Sequence, residues 1–220
     1  MTRRLQAVLF DMDGLLVDSE PLWTIAETEL FARLGDVPWS DAAKAACMGH
    51  RLDAAVPIML RYAGSDASYD EVAGFLLTRM CELFRGRLPL RPGAVELLDA
   101  LAARGVPLAL VSSSYRVLVD TVVELLGVHR FAMTLAGDEV VNAKPDPEPY
   151  LRAAATLGVD PRCCVVFEDS AAGVQSALAA GAVCVAVPEL QVFEPADGLL
   201  VLQSLTEVDV DELTAMLPSG

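Results

Sequence analysis

The chain has 220 residues, of which 54% are hydrophobic and 21% are charged, and its formal net charge is −15. This composition is typical of a compact globular protein with a sizeable core, and it excludes a largely disordered chain. The strong negative charge disfavours nucleic acids and anionic membranes as partners, because both repel an acidic surface. An anionic ligand would therefore need local positive charge at its binding site.

The cysteines and the N-terminal sequence both favour the cytoplasm. The five cysteines are odd in number, and their spacing fits neither a zinc site nor a disulfide framework. The apolar run near the N-terminus is short and ends at Asp11, which does not resemble a signal peptide. No stretch approaches the ~20 apolar residues needed to cross a bilayer. We expect a soluble, cytoplasmic protein, with a monomer as the favoured state.

Five short apolar runs predict buried strands. In chain order these are Leu5–Phe10, Val106–Val111, Phe131–Ala136, Cys163–Phe167 and Ala182–Val187. Continuous apolar runs of this length are typical of a parallel sheet that is covered on both faces. Helical patterns over Pro92–Arg104, Tyr115–Gly127 and Pro147–Gly158 alternate with the later strands, and Ser204–Leu217 could form a closing helix. The alternation predicts an α/β fold with a doubly wound, Rossmann-like parallel sheet.

The segment from residue 18 to residue 87 interrupts this alternation. It contains three helical patterns and no run that resembles a strand. A crossover between parallel strands usually needs one helix, so the segment is too long to be only a connection. We therefore predict an α/β core over residues 1–17 and 88–220 and an inserted helical cap over residues 18–87. The hinges of this cap are predicted near Leu16–Glu20 and Arg87–Pro89.

Two acidic residues follow the first predicted strand. Asp11 and Asp13 come directly after Phe10, and they point the same way because side chains alternate along an extended chain. Buried charges are costly unless they have a function or a cation beside them. The pair predicts an attacking carboxylate with an acid/base carboxylate next to it. The alternative is a simple turn, which Asp-Gly often starts.

Further polar groups follow the other predicted strands, at the sheet edge where open α/β sheets bind ligands. They are Ser112-Ser113-Ser114, Lys144-Pro145 and Glu168-Asp169-Ser170. One pocket would then hold four carboxylates and a single lysine. Two like charges ~4 Å apart cost about 4 kcal/mol at an effective dielectric of 20, so one lysine cannot offset the repulsion. A divalent cation can, and hard oxygen ligands with open water positions select Mg²⁺.

These motifs together resemble the haloacid dehalogenase-like superfamily of hydrolases. The resemblance is carried by the stretch from Asp11 to Glu20, by Ser112, by Lys144-Pro145 and by the stretch from Phe167 to Ser170. The helical insertion is similar to the cap of the branch that includes sugar phosphatases and β-phosphoglucomutase. The resemblance implies Mg²⁺-dependent hydrolysis of a small phosphorylated metabolite, a sugar or sugar-alcohol phosphate, through an aspartyl phosphate.

The resemblance also implies how the acidic residues would act. Asp11 would be the nucleophile, and Asp13 would protonate the leaving alkoxide and then take a proton from the hydrolytic water. Mg²⁺ would be held by the Asp11 carboxylate, the Asp13 backbone carbonyl and the Asp169 carboxylate. Glu168 would orient water at the ion rather than bind the ion directly.

The phosphoryl group would be bound by the residues after the second and third strands. Ser112 and the backbone N–H of Ser113 would hold phosphoryl oxygens, although Ser113 or Ser114 could also supply the hydroxyl, and Ser112 could merely cap a helix. Lys144 would neutralise charge on both Asp11 and the phosphoryl group.

Three residues outside these motifs are candidates for substrate contacts. His50 and Arg51 lie between two predicted cap helices, and Tyr115 follows the serine motif. The alternative for His50 and Arg51 is that they are ordinary surface residues at a helix start.

Tyr115, Asp13 and the helical insertion bear on the functions that compete with hydrolysis. A phosphomutase of the β-phosphoglucomutase kind would use the same residues, but Tyr115 stands where a lysine would favour that reaction. A non-catalytic domain that binds phosphoesters or accepts a phosphoryl group would not need a helical lid. Asp13 argues against a dehalogenase and against cleavage of phosphonates, since family dehalogenases lack an aspartate there.

Overall fold

The computed structural model describes residues 4–35, 37–47, 50–188, 192–194 and 196–217. Within these ranges, six parallel strands form one sheet. They are β1 (Ala7–Phe10), β2 (Leu108–Val111), β3 (Met133–Leu135), β4 (Cys164–Glu168), β5 (Val183–Ala186) and β6 (Leu199–Val201). The strand order is β3-β2-β1-β4-β5-β6, with β1 and β4 at the centre. This order confirms the predicted doubly wound parallel sheet.

The central strands are buried on both faces. Every residue of β1, β2, β4 and β5 is buried, which explains why their sequences are apolar without alternation. Val8 and Phe10 enter one hydrophobic core, and Ala7 and Leu9 enter the other. The end of β1 and the residues that follow it therefore lie between the two hydrophobic cores that cover the sheet.

Eight α-helices accompany the sheet in the described part of the chain. Four lie between β1 and β2: α1 (Glu20–Leu34), α2 (Asp41–Cys47), α3 (Leu52–Ala63) and α4 (Tyr69–Gly86). Four lie among the later strands: α5 (Ala94–Ala103), α6 (Arg116–Leu126), α7 (Glu148–Leu157) and α8 (Ala171–Ala179). None of the helices in these ranges is long and apolar enough to span a membrane. That α1–α4 form a separate cap domain remains a prediction.

The two segments that join α1–α4 to the sheet lie side by side. The backbone N–H of Asp18 donates to the carbonyl of Pro89 at 2.8 Å, and the N–H of Arg91 donates to the carbonyl of Leu16 at 3.0 Å. These bonds tie the entry and the exit of the helical segment together at the positions where hinges are predicted.

The structure differs from two predictions in the C-terminal part. Strand β6 was not predicted, because it has only three residues and lies at the sheet edge. The predicted closing helix over Ser204–Leu217 is wrong: the segment forms two short 3₁₀ helices, Leu205–Glu207 and Leu213–Met216. Leu205 and Leu213 are both buried, and their spacing suggested one continuous helix, but the chain between the two turns is not helical.

Candidate active site

The candidate site lies where β1 and β4 pair at the centre of the sheet. The chain runs outward from β1 through β2 to β3 and then crosses to the other side of β1 for β4. Open α/β sheets bind ligands at such a reversal, beyond the carboxyl ends of the strands. Asp11 follows β1 and Asp169 follows β4, and the backbone N–H of Asp11 donates to the carbonyl of Phe167 at 3.0 Å. The two carboxylates therefore project from neighbouring strands.

Lys144 bridges two buried carboxylates beneath this edge of the sheet. Its Nζ lies 2.6 Å from Asp11 Oδ1, 2.7 Å from Glu168 Oε1 and 2.9 Å from the carbonyl of Val111. These acceptors match all three N–H donors of an ammonium group. Burial alone would lower the pKa of Lys144, but the carboxylates of Asp11 and Glu168 outweigh it and raise the pKa. Lys144 is thus a fixed cation, and it must exchange one of these bonds to contact a phosphoryl oxygen.

Glu168 is fully buried, and both of its carboxylate oxygens accept hydrogen bonds. Oε1 accepts from Lys144 and from the Tyr150 hydroxyl, which lies at 2.6 Å. Oε2 accepts from the backbone N–H of Asp169 at 3.2 Å and from the hydroxyl of Ser170 at 3.1 Å. With both oxygens engaged, Glu168 is poorly placed to bind an ion directly.

Two glycines provide the space that these acidic side chains occupy. Gly14 has a φ of 83°, and a Cβ there would lie 2.1 Å from Asp169 Oδ2. A Cβ at Gly173, in the first turn of α8, would lie 1.8 Å from Glu168 Oε1. Neither approach is sterically possible, so both positions require glycine. Gly14 of the first motif, and Gly173 just after the last motif, are thereby explained by the carboxylates that they face.

Asp13 is half-buried and accepts hydrogen bonds from three serine hydroxyls. Ser19 donates to Oδ1 at 2.7 Å, while Ser114 and Ser112 donate to Oδ2 at 2.8 and 3.2 Å. The Ser112 hydroxyl also accepts from the backbone N–H of Ser114 at 2.9 Å. The Ser112 hydroxyl is thus directed toward Asp13. The hydrogen bonds from Ser19 and Ser114 to this carboxylate were not predicted, because these serines are separated from Asp13 in the sequence.

The acidic residues suit a divalent cation by the chemistry of their donor atoms. Carboxylate oxygens of Asp11, Glu168 and Asp169 lie within 4.8 Å of one another. Burial raises the pKa of Asp11 well above its usual range; Lys144 opposes this shift, while the neighbouring carboxylates add to it. Burial and Glu168 raise the pKa of Asp169 as well. Positive charge in addition to that of Lys144 is needed to keep Asp11 and Asp169 ionised. A divalent cation would supply this charge, and hard oxygen donors match Mg²⁺.

Contacts also join the helical segment to the core beside this site. Arg51, which precedes α3, donates through Nη1 to the carbonyl of Gly137 at 2.9 Å. The hydroxyl of Tyr69, the first residue of α4, lies 2.8 Å from the hydroxyl of Tyr115. We call these four residues the cap–core seam. The seam adjoins the serines that bind Asp13, since Tyr115 follows Ser114, whose carbonyl accepts from the N–H of Gly137 at 2.8 Å.

Two predicted site residues make fewer contacts. The His50 side chain is exposed and forms no hydrogen bond to the core among the residues that the structure describes. Ser113 is exposed as well, and within the same ranges its backbone N–H has no acceptor. This free N–H is the group for which a phosphoryl contact was predicted.

Comparison with known proteins agrees with the geometry. A model of the haloacid dehalogenase-like hydrolases matches residues 5–181. Hexitol phosphatase B of Escherichia coli K12 is 34% identical over 219 residues, which cover 96% of this chain and 97% of that protein. Phosphorylated carbohydrates phosphatase of Thermotoga maritima is 33% identical over 178 residues, 80% of this chain and 82% of that protein.

A solved structure shares the fold. CbbY from Rhodobacter sphaeroides, in complex with phosphate, matches with a TM-score of 0.83 and 28% identity, over 92% of this chain and 96% of that chain. The family match and the extent of both sequence relatives confirm the resemblance seen in the motifs. The chain is an enzyme that belongs to the haloacid dehalogenase-like hydrolases.

Proposed function

We propose that this enzyme is a Mg²⁺-dependent phosphatase that hydrolyses a sugar or sugar-alcohol phosphate through an aspartyl phosphate. The observation that carries the proposal is the Asp11 carboxylate at the end of β1, bonded to buried Lys144 and adjacent to Asp169. The similarity to hexitol phosphatase B and to phosphorylated carbohydrates phosphatase supports this substrate class. The predicted cytoplasmic location is compatible with a small phosphorylated metabolite as the substrate.

Asp11 is the proposed nucleophile. Lys144 binds its Oδ1, whereas Oδ2 accepts no hydrogen bond within the described residues, which leaves Oδ2 as the attacking atom. A new bond forms between Oδ2 and phosphorus as the bond from phosphorus to the leaving oxygen breaks. Water then attacks phosphorus, the bond to Oδ2 breaks, and inorganic phosphate is released with Asp11 regenerated.

Asp13 is the proposed proton carrier for both steps. It gives its proton to the leaving alkoxide in the first step and takes one from the attacking water in the second. The hydroxyls of Ser19, Ser112 and Ser114 hold its carboxylate beside the Asp11 site. These bonds fix its direction, which proton transfer requires, because donor and acceptor must lie within hydrogen-bond reach.

The phosphoryl oxygens would be bound by Lys144, by the backbone N–H of Ser113 and by the Ser112 hydroxyl, which would exchange its bond to Asp13 for this contact. The carboxylates of Asp11 and Asp169 and the backbone carbonyl of Asp13 would hold Mg²⁺. When bound, the ion supplies positive charge that neutralises the phosphoryl oxygens.

The ion pairs of the two arginines near Tyr115 favour hydrolysis over a mutase reaction. A mutase is expected to use extra basic contacts here, but Arg51 is paired with Asp53, and Arg116 is paired with Asp120 and Glu139. Tyr115, between these arginines, is a neutral phenol. The local cations are thus already neutralised by their own neighbours.

A phosphate-release screen tests the proposal. We expect the wild-type protein to release phosphate from sugar or polyol phosphates in the presence of Mg²⁺ and to lose this activity with EDTA. Asp11→Asn should abolish turnover, while Asp99→Asn, at an exposed position in α5, should retain it. Wild-type turnover by the Asp11→Asn variant would contradict the proposal.

The same screen separates the competing functions. Conversion of β-glucose 1-phosphate into glucose 6-phosphate would instead establish a mutase. Mg²⁺-dependent binding of phosphoesters without turnover would establish a non-catalytic domain.

A further inference from the structure

Tyr150 is a polar residue inside the site to which the motifs assign no role. Its helix, α7, presents it to the core, and the side chain is only 1% exposed. Its hydroxyl donates to Glu168 Oε1 at 2.6 Å, and its ring centroid lies 5.0 Å from Lys144 Nζ. The helical pattern of the sequence indicated only an apolar packing residue at this position.

The hydroxyl is not needed to fill space. Phenylalanine would occupy the same volume and would keep the contact between the ring and Lys144. Burying a hydroxyl costs free energy unless it is hydrogen-bonded, so the phenol is favourable here only through its bond to Glu168. The function of the hydroxyl must therefore be sought in the carboxylate that it binds.

Glu168 connects the two sides of the site. Its Oε1 binds Lys144, which binds the Asp11 nucleophile, while its Oε2 binds the backbone N–H of Asp169. The terminal torsion of a glutamate is soft and broadly two-fold, so the carboxylate needs external bonds to fix its plane. The bond from Tyr150 to Oε1 supplies such a constraint in addition to the bonds from Lys144, from the N–H of Asp169 and from Ser170.

We propose that Tyr150 is a positioning residue for the reaction. Its hydroxyl fixes the plane of the Glu168 carboxylate and thereby holds Lys144 against Asp11 and Asp169 beside them. This inference rests on the proposed phosphatase function, in which Asp11 attacks phosphorus and Asp169 holds Mg²⁺. It adds a requirement for one hydroxyl that touches neither substrate nor ion.

The test compares Tyr150→Phe with the wild-type enzyme, with Tyr62→Phe as a control at an exposed position of α3. With p-nitrophenyl phosphate and Mg²⁺, we expect kcat of Tyr150→Phe to fall by about 10- to 100-fold, as for other residues that orient ligand side chains. We expect its KM to change less than its kcat, because Tyr150 itself touches no substrate atom and the contacts of Ser112 and Ser113 do not depend on Glu168. Mg²⁺ binding measured by calorimetry should weaken by about tenfold.

The readouts separate positioning from a structural role. The midpoint of unfolding of Tyr150→Phe should fall, because a hydrogen bond to a buried carboxylate is lost, but the variant should remain fully folded at the assay temperature by circular dichroism. A wild-type kcat, a wild-type Mg²⁺ affinity or a kcat loss that merely follows the unfolded fraction at the assay temperature would overturn this inference alone. If the wild-type protein itself turns over no phosphomonoester, the proposed function fails, and this inference fails with it.

Discussion

The buried charge network and the cap–core seam hold neighbouring parts of the site in different ways. The network consists of Asp11, Lys144, Tyr150 and Glu168, and the side chains of Lys144 and Glu168 are only 4% and 0% exposed. Bonds to ionised groups are roughly twice as strong as neutral ones, and loss of one partner leaves a buried charge unpaired. The seam instead joins the half-buried side chains of Tyr69 and Tyr115 to each other and half-buried Arg51 to the carbonyl of Gly137. A neutral hydrogen bond such as that between the two tyrosines contributes about 0.5–1.5 kcal/mol.

This difference separates a rigid reaction centre from a contact that can break. The network holds Asp11, the proposed nucleophile, in one geometry, as preorganised catalysis requires. If the predicted cap moves, the seam is the contact that would open for substrate and re-form behind it, and closure would exclude water from the phosphoryl group. The predictions below test this contrast, beginning with the largest effect.

The two lysines of the chain provide the sharpest contrast. Lys144→Met leaves Asp11 and Glu168 as buried, unpaired carboxylates, and we expect it to cost about 3–5 kcal/mol of unfolding free energy and to abolish turnover. Lys44→Met removes an exposed ion pair with Glu20, which contributes about 0–1 kcal/mol. Denaturant unfolding and phosphate release measure both effects. Equal stability losses for the two variants would contradict the contrast.

A buried carboxylate in the helical segment predicts a pH effect on stability. Burial and the nearby Glu20 raise the pKa of Glu27 from 4.5 to about 7. Between these values the folded chain keeps a proton on Glu27 that the unfolded chain releases, so the contribution of this group to stability is greatest below pH 4.5 and falls as pH rises to about 7. The full loss is up to about 3 kcal/mol.

The Glu27→Gln variant removes this titration. We therefore expect it to be more stable than the wild type at pH 8 and to lose the advantage at pH 4.5, in denaturant unfolding at both pH values. Parallel pH profiles for the two proteins would contradict the prediction.

Alanine at Gly173 tests the space around Glu168, and alanine at Gly74, in another helix, is the matched control. In Gly173→Ala the new Cβ would lie 1.8 Å from Glu168 Oε1 and must displace the carboxylate, so we expect kcat to fall by about 10- to 100-fold. Gly74→Ala, in α4, meets nothing within 4 Å and should stabilise the helix by about 0.5–1 kcal/mol with unchanged kcat. Steady-state kinetics and thermal unfolding check the pair. Full activity of Gly173→Ala would show that the network tolerates displacement.

The smallest effect is expected at the seam. Tyr69→Phe removes the bond to Tyr115 but keeps the ring, so closure should weaken by about 1 kcal/mol, and kcat/KM should fall by about fivefold. Lys144 and the carboxylates keep their bonds in this variant, and the free energy of unfolding should change little. A loss of activity as large as that of Gly173→Ala would place the seam in the catalytic centre itself.

Much of the core could be predicted because its signals are local. The strands are continuous apolar runs, Asp11 and Asp169 directly follow β1 and β4, and Lys144 lies in the loop after β3, so the geometry of a parallel sheet brings them to one edge. The short edge strand β6 and the two C-terminal 3₁₀ turns were missed or misassigned, because a few residues carry too little periodicity.

The sequence by itself determined the sheet, the helical insertion and the motif residues at the strand ends. Only the tertiary structure decided which side chains touch: the hydroxyl of Tyr150 on Glu168, the serines on Asp13, and Arg51 on a carbonyl 86 residues away. Periodicity reports which face of an element is buried, because burial depends on the spacing of apolar residues. It does not report where a buried hydroxyl points, because that depends on distant segments meeting in space.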